Sequence, residues 1–200
     1  MSKLYLYLLH SRNKDNKDIE NFKQRTKAIL AYEEDEEKIL KEFEKFAEEG
    51  VEGETSRLYR SVNARNEEKV REEVIIRLLR DKISLTRLNS LVMSAALKVE
   101  NKAESKWLFD FDVDDEVAAA EFVIDVNRAL NMTWDEEGKE PIFLDIKVEK
   151  YKTPNGYAIV VPHGFDTREL MENWKDYDIT LKKDDLLFLK SLKKEKVYGK

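Results

Sequence analysis

The ten residues KWLFDFDVDD, at positions 106–115, restrict the fold more than any other stretch of this chain. Side chains alternate along a strand, so Trp107, Phe109 and Phe111 share one face while Asp110 and Asp112 share the other. An aromatic stripe of this kind must be covered by a core, and the same strand then presents two carboxylates side by side. Carboxylates near an apolar sheet need a cation or several donors to compensate them, which makes Asp110 and Asp112 candidate ligands for Mg2+ or Mn2+. The competing reading is a helix cap: Asp114 or Asp115 can cap the alanine-rich run at 117–130.

With 200 residues, 42% of them hydrophobic, the chain can bury a sizeable core. We expect a single compact domain over 1–200, divisible into a helical N-terminal lobe (about 1–100) and a core (about 101–200). The absence of cysteine excludes disulfides, thiolate nucleophiles and thiolate-held metals. The opening MSKLYLYLLH lacks a secretory pattern, and no apolar run is long enough to span a bilayer, so a cytoplasmic protein without a membrane partner is expected. A net charge of −6 argues against broad nonspecific affinity for duplex nucleic acid and leaves room for a local basic groove.

The apolar run 4–9 reads as a strand, and 19–46 reads as helical, with Ile39, Leu40, Phe43 and Phe46 returning to one side. The acidic block 33–37 reads as a solvated face. Before the helix carrying Val70, Val74, Ile75, Leu78 and Leu79 lies SRLYRSVNARN (56–66), whose Tyr59, Arg60 and Arg65 are capable of binding phosphate. These arginines equally suit pairing with nearby glutamates, with Asn66 capping the helix. A second helix is expected at about 85–97. Further on, alternating residues at 142–148 and the run at 157–161 flank the turn Thr153-Pro154-Asn155-Gly156, which specifies a β-hairpin. The segment 186–192 reads as packing, and Lys190, Lys193, Lys194 and Lys196 as a solvated basic tail. The order of elements predicts an α+β fold with a mixed or antiparallel sheet and packed helices, the acidic strand lying beside the hairpin.

Together, WLFDFDVDD and YKTPNGYAIVV resemble the catalytic core of archaeo-eukaryotic-type primases and primase–polymerases, in a small phage-like form. The resemblance covers about 107–161. It implies a primase-like core in which Asp110 and Asp112 are catalytic metal ligands and Lys152, Thr153, Asn155 and Gly156 lie near a nucleotide phosphate, with looser support from Arg60 and Arg65. The implied reaction is metal-assisted nucleotidyl transfer, with a nucleotide and single-stranded or primed nucleic acid as partners, alongside a replication-associated protein. The chain departs from the family at Ala158, where a histidine is expected; His163 is five residues on, and in a regular strand it would point to the other face. The family's third acid has only Asp145, Asp184 and Asp185 as candidates by type. Two alternatives follow. LFDFDVDD also resembles the haloacid-dehalogenase-like phosphohydrolases, with Asp110 attacking phosphorus and Asp112 as acid/base; the other is a catalytically inactive phage-like factor that binds nucleic acid or protein.

Overall fold

The computed structural model describes residues 2–81, 83–134 and 141–195. In chain order the elements are β1 (Leu4–Ser11), β2 (Arg25–Tyr32), α1 (Glu36–Glu48), β3 (Thr55–Ser61), α2 (Glu67–Asp81), α3 (Leu88–Ala96), β4 (Trp107–Phe111), α4 (Glu116–Asn131), β5 (Met132–Trp134), β6 (Pro141–Phe143), β7 (Glu149–Lys152), β8 (Tyr157–Val161), α5 (Arg168–Asn173), β9 (Ile179–Lys182) and β10 (Leu186–Lys193). They form two compact units. The first takes the chain up to Ala103 and again from Leu186; the second is Glu104–Asp185. No helix among the described residues is long and apolar enough to cross a membrane.

In the first unit the strand order is β10-β3-β1-β2, every neighbour antiparallel. Tyr5, Tyr7 and Leu9 of β1 pack with Ile39, Phe43 and Phe46 of α1, while Leu30, opposite Leu6, packs toward the α2–α3 pair. Helices therefore cover both faces, which is why β1 is apolar at nearly every position. Where the sequence suggests helix across 19–46, residues 25–32 form a strand, and α1 begins only at Glu36. All eight residues of β2 pair with β1, and their alternation puts Ile29 and Ala31 on the α1 face. The segment at 56–61, singled out only as lying before a helix, and the packing segment at 186–192 are likewise neighbouring strands. The first unit therefore holds a four-stranded sheet as well as its helices, with three strands from the N-terminal end of the chain and β10 from the other.

The second unit is an antiparallel sheet, β7-β8-β4-β9, with β4 in the interior. Phe109 and Phe111 pack with Phe122 and Val126 of α4, Leu170 of α5, and Trp174, and Trp107 flanks this core. The chain is thus α+β and antiparallel, with β4 beside the hairpin as the alternation implies. The hairpin turn lies at 153–156, but its first arm is β7 rather than 142–148. Pro141–Phe143 pairs instead with β5, and the Asn131 side chain accepts from Ile146 N–H at 2.6 Å and donates to the Ile146 carbonyl at 3.0 Å. That side chain fills the backbone valences a ladder would use, so residues 144–148 follow the end of α4 without forming a strand.

Candidate functional site

Asp110 lies opposite Ala158 of β8 on one side and Thr180 of β9 on the other. Its carboxylate therefore leaves the sheet on the face away from α4 and accepts from Lys182 Nζ at 2.7 Å. The same ammonium lies 2.9 Å from Asp185, forming an acid–lysine–acid bridge. Partial burial works against the charge on Lys182, but the hydrogen bonds to Asp110 and Asp185 outweigh it and hold the pKa well above the usual lysine value.

Just past β4, Asp112 is exposed, and its N–H donates to the Asp178 carbonyl at 2.9 Å. This continues the Phe111–Ile179 pairing by one step and sets Asp112 opposite Asp178. Asp178 is an acid that the sequence alone does not single out, since only the register of β9 brings it here. Of the acids expected by type, Asp185 reaches Lys182, while Asp145 lies in the irregular segment before β7. Asp115 caps α4, accepting from the N–H groups of Val117 and Ala118 at 3.0 Å each. The helix-cap reading thus describes Asp115, while Asp110 and Asp112 have other surroundings. Asp114 forms an ion pair with Lys152.

Lys152 does not converge with Asp110. It pairs across the ladder with Tyr157, which pairs with Phe111, so all three side chains belong to the α4 face. Its ammonium lies 4.3 Å from the Tyr157 ring centroid, and the hydrogen bond to Asp114 raises its pKa. Thr153 and Gly156 close the turn on each other: Thr153 N–H donates to the Gly156 carbonyl at 2.9 Å, and Gly156 N–H donates to Thr153 Oγ1 at 3.1 Å. These groups are committed to the turn, while Asn155 at its tip is exposed. Gly156 also packs on the chain on either side of Asp112, where a Cβ would strike the Phe111 carbonyl oxygen and the Val113 nitrogen. The turn and the acidic end of β4 are in contact.

The other expected donors belong to the first unit. Tyr59 and Arg60 are adjacent in β3 and point to opposite faces, so they do not form one donor cluster. Tyr59 meets Phe188 edge-on. Arg60 lies 4.7 Å over the Tyr5 ring and 3.9 Å from both Glu33 and Glu36. Arg65 is 5% exposed, with its N–H donating to the Leu4 carbonyl at 2.7 Å. Asn66 accepts from Lys69 N–H at 3.0 Å at the start of α2. The pairing of arginine with glutamate and the asparagine cap, the plainer reading of this motif, describe Arg60 and Asn66.

Among the described residues, no group of three or more histidine, aspartate or glutamate side chains is gathered closely enough to hold a metal ion. The donor types at the end of β4 are nevertheless the hard oxygens that Mg2+ and Mn2+ select. His163, past the end of β8, is exposed and lies 3.0 Å from the Gly164 carbonyl. No family model, curated protein or solved structure matches this chain.

Proposed function

We propose that the second unit acts on nucleotide or nucleic-acid phosphate, with primase-like nucleotidyl transfer as its reaction. The observation carrying this reading is the contact of Gly156 with the backbone around Asp112, which brings the hairpin turn against the acidic end of β4. In this reading Asp110 and Asp112 hold Mg2+ or Mn2+, with Asp178 the nearest further acid by register. The ion would supply charge neutralisation at phosphate and a lower proton affinity for the attacking hydroxyl. Asp110 must exchange its Lys182 contact for the ion, leaving Lys182 paired with Asp185. The Asn155 amide at the turn tip can donate to a phosphate oxygen, while Lys152 supports the turn through Asp114 and Tyr157. Transfer is placed ahead of haloacid-dehalogenase-like hydrolysis because both neighbours of β4 run antiparallel to it, unlike the parallel sheet that chemistry uses. Single-stranded or primed nucleic acid is the partner this reading calls for, with a replication-associated protein beside it.

A second reading has its own observation. The Lys182 ammonium already neutralises Asp110, and Ala158, directly across the ladder, contributes only a methyl group. An inactive factor that binds nucleic acid or protein fits that arrangement. A product-resolved assay separates the two. It contains Mg2+ or Mn2+, all nucleotides, and single-stranded, primed and duplex templates, with D110N/D112N as control. Template-dependent extension lost in the double variant supports transfer, whereas phosphate release without extension favours hydrolysis. Neither product, with folding and nucleic-acid binding intact, assigns the chain to the inactive class.

A further inference from the structure

The helix α2 is apolar on two sides. Val70, Val74 and Leu78 turn inward against Leu91, Ala95 and Ala96 of α3. At 100° per residue, Ile75, Ile76 and Leu79 lie on the outer side, where they are 49%, 54% and 79% exposed. Leu85, in the turn that follows, is 77% exposed. A helix that covers a core on one side ordinarily shows water a polar opposite face, and clustered large aliphatics there mark an interaction surface.

The flanking charges indicate the occupant. On the same outer side, Glu72 stands four residues before Ile76 and Arg80 four residues after it, with Glu68 a further turn toward the acidic end. Arg80 is held by Asp81 at 2.6 Å through Nε and also donates to it through Nη2, leaving other N–H donors of the guanidinium for a second acid. A two-fold antiparallel arrangement centred on Ile76 sets Glu72 of each helix beside Arg80 of the other, while the aliphatics leave water in the middle. A parallel arrangement would stack Glu68 and Glu72 on their own counterparts. This self-complementarity, acid and base equidistant from an apolar centre, is what an isologous contact requires.

We propose that the outer face of α2 pairs with the same face of a second copy of this chain, antiparallel across Ile76. The test is sedimentation of the full chain from about 1 µM to about 500 µM, a range suited to a small interface. A reversible dimer is expected, lost on Ile76→Asp or Leu79→Asp. Glu72→Arg and Arg80→Glu should each raise the dissociation constant at least ~10-fold by placing like charges together, and the double exchange should recover the parent value to within about 3-fold. Both charge variants change exposed positions, and circular dichroism verifies the fold. A monomer throughout the range, a dimer indifferent to Leu79→Asp, or a double exchange that fails to recover association would overturn the proposal. A monomer whose intact face is covered by a different protein is one such outcome.

Discussion

Replacing Lys182 by methionine removes the cation shared by Asp110 and Asp185 while keeping most of the side chain's volume. Two charge-assisted hydrogen bonds are lost, at 2.7 and 2.9 Å. Buried bonds to charged groups are worth about 1.5–3 kcal/mol each, but the side chains of Lys182 and Asp110 are 34% and 25% exposed, so water recovers about half of that. Subtracting about 1 kcal/mol for the lysine rotamer freedom regained leaves a net cost of about 0.5–2 kcal/mol. All three tryptophans, Trp107, Trp134 and Trp174, belong to the second unit, so tryptophan fluorescence during urea unfolding reports on it selectively. At about 1 kcal/mol per molar urea for a unit of this size, the midpoint should fall by about 0.5–2 M. The D110N substitution should be destabilising in the parent and neutral or stabilising in K182M, where it relieves repulsion between Asp110 and Asp185. A K182M midpoint matching the parent, or a D110N cost independent of Lys182, would refute the bridge as the organiser of this face.

Asp115→Ala should cost about 1 kcal/mol in the same unfolding assay, by uncapping the N–H groups of Val117 and Ala118. Gly156→Ala should cost about 2 kcal/mol or more, because the added methyl meets backbone of the β4 end rather than a side chain that can turn aside; an unchanged midpoint would mean the turn stands clear of Asp112. Burial, then the neighbouring Arg12, lowers the pKa of His10 below its ordinary value. The unfolded chain therefore binds the proton more readily, so this contribution to stability is complete above about pH 6.5 and declines as the pH falls through that value toward the depressed folded pKa. Comparing unfolding of the parent and His10→Gln from pH 5 to 8 should show a smaller acid-side decline in the variant.

The parts of this molecule that can be read locally are those whose signal is complete within a few residues. The alternation of Trp107, Phe109 and Phe111 with Asp110 fixes the faces of β4, and Pro154-Asn155-Gly156 fixes a turn whatever the arms do. The arm itself is less legible, since residues 142–148 alternate as well as β7 does, and what holds the segment after β6 is a distant residue, Asn131, whose carbonyl accepts from Leu144 N–H and whose side chain bonds Ile146. β2 is obscured because its eight residues run straight into an acidic helix start. The approach of Ser191 to Ser56, 135 residues apart, leaves no local trace at all. The same division holds for the candidate site. Asp110 and Asp112 stand out by spacing, whereas Lys182 and Asp178 join them only through the register of β9. Lys152, immediately before the turn, goes to the other face because the parity of the β7–β8 pairing sends it there.

The return of β10 to β3 means that the second unit is spliced into the first. During synthesis the chain delivers every residue of the spliced-in unit before it delivers the strand that finishes the sheet around β1. Until β10 arrives, the border of β3 that it will cover has no strand beside it. For that interval β3 is an adhesive edge, offering unpaired N–H and C=O groups to any extended segment nearby. The stretch most exposed to misassembly is thus one made early and closed late.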